Sequence, residues 1–193
     1  MSNELNGKYI AEVFPIKLRL IQAESDRGAV LVAASMLEDS LKRLIAAKLA
    51  PSFTKKDLLF SEGNAPLGTF SSRIEIAYRL GLITIETKEL LSIFKKVRND
   101  FAHQVKVDSF ELPKVKDRMV SLMAKHPEIK GAFETSFIES IAQSNKLTTE
   151  SANKFYKENW PLRTTFDFFF ASTISTLESL IQQQDQLRPL KKG

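Results

Sequence analysis

The sequence contains no cysteine and only two histidines among its 193 residues. Without cysteine the chain has no disulfide framework, no cysteine-ligated zinc and no thiol catalysis. No apolar run approaches the about 20 residues that span a bilayer. The first residues, MSNELNGKYIAEVF, combine acidic side chains with no long apolar stretch, unlike a secretory signal. We therefore predict a cytoplasmic protein, and no segment predicts a metal or a cofactor.

What the chain does contain is enough apolar material for a packed core, since hydrophobic residues make up 43% of it. Its net charge of +5 permits weak attraction to nucleic acid, but the acidic residues are interspersed throughout, as in ordinary solubility charge. Every long segment repeats apolar residues at helical spacing, and no segment alternates like a strand. We predict an all-α fold, a single helical bundle of about seven helices, with a core over about residues 11–140 and a C-terminal helical appendage over about 141–193.

The most informative stretch is residues 84–103, TIETKELLSIFKKVRNDFAH, which predicts one amphipathic helix. Its apolar stripe consists of Leu90, Phe94, Val97 and Phe101. The helix is preceded by a turn in which Gly81 is predicted to end the previous helix, within TFSSRIEIAYRLG. Thr84 is predicted to cap the new one.

Arg98, Asn99 and His103, near the end of this helix, are the strongest candidates for chemistry. Arg98 offers a planar fork of donors to phosphate oxygens, and the imidazole of His103 can accept and donate protons. Asn99 lies four residues before His103, hence on the same face, where it can orient the imidazole. Arg98 lies ~140° from His103 around an ideal helix. The two side chains therefore converge only if Arg98 curls around, the helix ends early or a second subunit supplies the partner. The alternative is a surface ion pair and a histidine near a helix end.

A second candidate site surrounds Asp26, which lies on the apolar arc of the second predicted helix. That arc consists of Val30, Ala33, Leu37, Leu41 and Leu44. A carboxylate there costs free energy unless it caps the helix or is paired. One interpretation makes Ser25 or Asp26 the N-cap. The other is a buried polar cluster that consists of Glu24, Asp26, Arg27 and Arg73. In that cluster we expect Asp26 or Glu24 to approach Arg73 or Arg98.

Four further expectations concern the flanking segments. Residues 11–23 predict a first helix with Pro15 in its first turn and with an inward face of Ile16, Leu20 and Ile21. His126 is expected near a helix C-terminus. The polar stretch QSNKLTTESANK is expected to be a connector. The last helix is predicted to bury a face of Phe166, Phe169, Phe170, Leu177 and Ile181, leaving Phe168 partly exposed in a monomer.

Three stretches together resemble the mannitol operon repressor family: ESDRGAVLVAASMLEDSLKRLI, NAPLGTFSSRIEIAYRLGLI and VRNDFAH. The middle stretch is the most specific and matches through Pro66, Leu67, Gly68, Ser72, Arg73, Tyr78, Gly81 and Leu82. The resemblance covers about residues 20–105 and implies a helical bundle with a role in transcriptional control of sugar uptake. No standard DNA-binding motif is visible, so we predict regulation through protein or RNA contacts and no sequence-specific DNA binding by the isolated protein.

The RNDFAH stretch separately resembles the signature of HEPN domains, helical dimers of which many are metal-independent ribonucleases. This resemblance implies a homodimer with a shared cleft, in which Arg98, Asn99 and His103 are active-site residues. The alternative function is therefore an endoribonuclease, with a 2′-hydroxyl as nucleophile, His103 as acid-base and Arg98 stabilising the phosphorane charge. Exposed aromatic area at Phe168 would also favour a homodimer. A small-molecule sensor is a third possibility.

Overall fold

The computed structural model describes residues 7–61, 64–159 and 161–189. These residues form eight α-helices and no strand. In chain order the helices are α1 (Gly7–Gln22), α2 (Asp26–Lys48), α3 (Phe70–Arg79), α4 (Ile85–His103), α5 (Pro113–Met123), α6 (Pro127–Asn145), α7 (Thr149–Glu158) and α8 (Leu162–Ile181). The prediction of an all-α bundle is confirmed, with α7 as the additional helix.

Helix α7 begins in the stretch that was expected to be a polar connector and extends four residues beyond it. The Thr148 hydroxyl accepts the backbone N–H of Ser151, so a side-chain N-cap begins the helix. Ala152 and Tyr156 are buried four residues apart, and the Tyr156 ring lies 5.8 Å from that of Phe137 on α6. An apolar face of two residues suffices here because α6 supplies the aromatic surface, and so short a pattern does not stand out in the sequence.

Helix α8 is the centre of the bundle, and it packs against α1, α2, α5 and α6. Thirteen of its 20 residues are buried, including most of the predicted face. Buried hydroxyls are satisfied locally, because Thr173 and Ser175 donate to backbone carbonyls four residues earlier in the chain. Residues 162–181 therefore lie inside the bundle, where the sequence analysis placed an appendage.

Helix α4 lies beside α8 with its predicted stripe fully buried. The Phe94 ring lies 4.2 Å from that of Phe170. The turn before α4 follows the prediction, since Gly81 has φ +68° and its N–H bonds to the carbonyl of Tyr78. The N–H of Leu82 bonds to the carbonyl of Ala77, which completes a Schellman motif.

Helix α1 differs from its prediction in register and in orientation. It begins at Gly7, so Pro15 lies inside the helix and not in its first turn. Ile21 is buried as predicted, but Ile16 and Leu20 are 58% and 49% exposed. The inward face is instead built from Phe14, Leu18 and Ile21. The sequence offered two apolar stripes at helical spacing, and packing against α8 selected the one that carries the aromatic ring.

Phe168 is half-buried within the chain. Its ring lies 5.0 Å from that of Phe14 on α1 and 5.2 Å from that of Phe133 on α6. Rings from two neighbouring helices thus cover it. Phe168 is therefore partly exposed, as expected, although these rings reduce the aromatic area that it presents to a partner subunit.

Candidate functional site

The Arg98 side chain points toward α2 and not toward His103. Its Nη2 lies 3.4 Å from Oε1 of Glu38, and its Nη1 donates to Oδ1 of Asn99 at 3.2 Å. His103 is the exposed last residue of α4, and its imidazole forms no hydrogen bond within the described part of the chain. The structure therefore does not bring Arg98 and His103 together in one chain. Arg98, rather than His103, is the hydrogen-bond partner of Asn99.

Arg98 and Asn99 instead line a polar cleft of about 340 Å³ with α2 and the start of α3. The ammonium of Lys95 donates to Oγ of Ser71 at 2.7 Å across it. Glu38 borders the cleft from α2, and Gly68 borders it from the loop before α3. All three stretches that resemble the mannitol operon repressor family thus contribute to one surface, which we name the α4 cleft.

Both interpretations that the sequence left open for this region hold, one at Ser25 and the other at Asp26. Ser25 is the N-cap of α2. One oxygen of the Asp26 carboxylate accepts from Nη1 of Arg163 at 2.9 Å, and the other accepts the backbone N–H of Phe110 at 2.9 Å. The distant partner that a carboxylate on the apolar arc requires is therefore Arg163, on α8.

The other members of the predicted polar cluster have different partners. Arg73 donates to the backbone carbonyls of Leu67 at 2.9 Å and of Glu38 at 3.3 Å, so it fastens the loop before α3 to α2. The prediction that Asp26 or Glu24 approaches Arg73 or Arg98 is wrong, because packing places α8 beside the start of α2.

Arg27 also binds backbone rather than a carboxylate. Its Nη2 lies within 3.1 Å of three carbonyl oxygens, those of Gln104, Val105 and Val107. It thereby holds the segment that follows α4 against the start of α2. Glu24 contributes its backbone carbonyl, which accepts from Arg163 at 2.8 Å.

Arg163 is the centre of this network, although it was not among the site residues predicted from the sequence. Its Nε donates to Asp167 at 2.8 Å, and its Nη2 donates to the carbonyls of Ile21 and Glu24. Burial raises the pKa of Asp167, and the bond from Arg163 opposes that rise. A signal was present, since Asp167 stands among four phenylalanines with Arg163 four residues before it.

A second cleft, which was not predicted from the sequence, is lined by Thr87, His126, Glu128 and Leu177 among others, and we name it the His126 cleft. His126 follows the end of α5 by three residues, near a helix C-terminus as expected, and it also occupies the N-cap position of α6, as Pro127 at the first helical position could have indicated. Its Nδ1 lies 2.7 Å from Oε1 of Glu128, and its Nε2 lies 3.2 Å from Oγ1 of Thr87. Burial opposes ionisation of Glu128, but the backbone N–H at the start of α6 and His126 outweigh it and lower the pKa.

Within the described ranges, no group of three metal-ligating side chains could hold an ion. None of the helices described there combines the length and the apolar character that crossing a bilayer requires.

Comparison with known proteins shows a similarity of fold. No protein-family model matches the sequence, and no curated protein matches it. Among solved structures, the chain is similar to the X-ray structure of the MtlR-HPr complex from Escherichia coli, with a TM-score of 0.57 and 16% sequence identity. The match covers 86% of this chain and 99% of that chain. The chain therefore has an MtlR-like helical-bundle fold.

Proposed function

We propose that this protein is a regulator of the MtlR type that acts by binding another protein. The observation that carries the proposal is the fold shared over 86% of the chain with MtlR, which was crystallised in complex with the protein HPr. The sequence resemblance to mannitol operon repressors implies transcriptional control of sugar uptake. In the described part of the chain, the resembling residues line a surface cleft rather than an enclosed catalytic centre.

The α4 cleft is the surface that we assign to the partner. Its cations are already paired with neutral or acidic groups of the chain, Lys95 with Ser71 and Arg98 with Glu38. Such pre-positioned side chains lose little conformational entropy when a partner binds, which favours a defined protein contact. Lys96 lies next to them and is exposed, so it can add electrostatic attraction to an acidic partner surface.

Titration calorimetry with HPr from the same organism tests the proposal. We expect saturable binding of one HPr per chain, and we expect Lys96→Glu to weaken it about tenfold through charge repulsion. Lys154→Glu makes the same charge change on exposed α7 and serves as the matched control. If HPr does not bind to the wild-type protein, HPr is not the partner. If Lys96→Glu and Lys154→Glu weaken HPr binding equally, the α4 cleft is not the surface that binds HPr.

A second candidate function is the HEPN-type endoribonuclease, which the exposed and unbonded imidazole of His103 favours. Because Arg98 and His103 do not meet within one chain, this function requires a homodimer that joins the ends of two α4 helices. We expect light scattering at micromolar concentration to give a dimer mass in that case. RNA incubated with the protein in EDTA should then be cleaved by the wild type and not by His103→Ala. A persistent monomer, or intact RNA, eliminates the ribonuclease.

A further inference from the structure

The His126 cleft is a concave site built from four separate segments of the chain. It has a volume of about 370 Å³, within the range of small-molecule sites in proteins. The turn before α4, the first turn of α4, the start of α6 and the C-terminal half of α8 enclose it. Residues of these segments also pack in or against the core.

The walls of the cleft are largely apolar. They are formed by Leu82, Ile83, Ile129, Leu177 and Leu180. Leu82, Ile83 and Leu177 are otherwise buried members of the core. A molecule that enters the cleft therefore contacts apolar side chains that also pack against the core. The apolar part of that molecule is removed from water on binding.

Most of the polar groups of the cleft lie where the start of α4 meets the start of α6. His126 is anchored through both ring nitrogens, to Glu128 and to Thr87, and its ring lies against that of Phe169, at 6.5 Å between centroids. Thr176 adds a half-buried hydroxyl from the opposite wall. A few fixed hydrogen-bonding groups beside an apolar wall are the usual composition of a ligand site.

The charge at the mouth of the cleft restricts what can bind. Glu128 is ionised at neutral pH, and Glu86 is close enough to repel it electrostatically. Lys125, which is the nearby cation, is paired with Glu89. An anionic ligand would therefore meet the Glu128 carboxylate at the wall of the cleft, whereas a hydroxyl or ammonium group can donate to it.

We propose that the His126 cleft binds a small, partly apolar molecule that is neutral or cationic and presents a hydroxyl or amino group to Thr87 and Glu128, beside the His126 ring. Such a site adds small-molecule binding to a protein whose proposed function needs only a protein partner. The cleft is distinct from the α4 cleft, and the two have no lining residue in common.

Three probes with one cyclohexyl ring and different head groups test this site: cyclohexylmethanol, cyclohexylmethylamine and cyclohexanecarboxylate. The chain has two histidines, so imidazole NMR signals report on His126, with exposed His103 as an internal control. We expect the alcohol and the amine to shift the His126 signals saturably, with a Kd of about a millimolar or tighter, and to leave His103 unchanged. We expect the carboxylate to bind at least about tenfold more weakly.

A substitution that fills the cleft provides the second measurement. Thr176→Leu should weaken binding of the alcohol about tenfold, because the larger side chain occupies the space of the ring. Thr164→Leu makes the same change at an exposed position of α8 and should leave binding unchanged. Failure of both the alcohol and the amine to move the His126 signals of the wild type overturns the site. Equally tight binding of the carboxylate overturns the assigned ligand class.

Discussion

Replacing Arg163 with methionine should be among the most destabilising single changes outside the apolar core. Methionine retains an apolar stem of similar length but removes all of the donors that Arg163 uses. Asp167 would remain 4% exposed without its counter-ion, and Asp26 and two backbone carbonyls would each lose a bond. Breaking a buried ion pair costs about 3–5 kcal/mol.

The lower end of that range applies, because the side chains of Arg163 and Asp26 are 27% and 26% exposed and water can replace part of their bonds. We therefore expect Arg163→Met to lower the free energy of unfolding by about 3 kcal/mol. For a chain of this size that corresponds to a fall in Tm of about 6–12 °C. Urea titration with an unchanged m value is the appropriate assay, since it separates a loss of stability from a change in the unfolded state.

Asp167→Asn, introduced into the wild type and into Arg163→Met, tests whether the unpaired Asp167 carboxylate causes the loss of stability. In the wild type it weakens a charge-assisted bond and should destabilise. In Arg163→Met it removes an uncompensated buried charge and should stabilise, by about 1–2 kcal/mol. The Arg163→Met protein should also regain stability as the pH falls toward 3.8, because a carboxyl with a raised pKa binds its proton more tightly when folded. A cost below about 1 kcal/mol for Arg163→Met, or the same sign for Asp167→Asn in both backgrounds, would refute the reasoning.

Two further predictions follow from single residues. The lowered pKa of Glu128 contributes stability that is present above the ordinary value of 4.5 and is lost as the pH falls through the folded pKa. The difference in stability between wild type and Glu128→Gln, measured by chemical denaturation, should therefore shrink on acidification; a difference independent of pH would contradict it. Gly81→Ala should cost about 1 kcal/mol, because φ is +68° there although an added Cβ has open space. The control Gly131→Ala lies inside α6, where an added Cβ also has open space, and it should be neutral or stabilise the protein by up to about 1 kcal/mol. If both substitutions lower the free energy of unfolding equally, the positive φ of Gly81 is not the cause.

The sequence by itself determined the features whose causes lie within a few residues. The buried stripe of α4 follows from apolar residues at helical spacing, and the caps at Thr84 and Ser25 follow from hydroxyls before helical runs. Gly81 adopts the left-handed conformation that was expected for a glycine at the end of a helix. Pro113 likewise begins α5 at the first-turn position.

Tertiary packing decided which of several locally acceptable options the chain uses. Residues 26 and 163 are 137 positions apart, and nothing in the local pattern of either one specifies the other. Helix α1 carries two apolar stripes, and the position of Phe168 on α8 selected the one that contains Phe14. The His126 cleft exists because four segments enclose the same space, and hydrophobic periodicity describes a single helix face and not the space between helices.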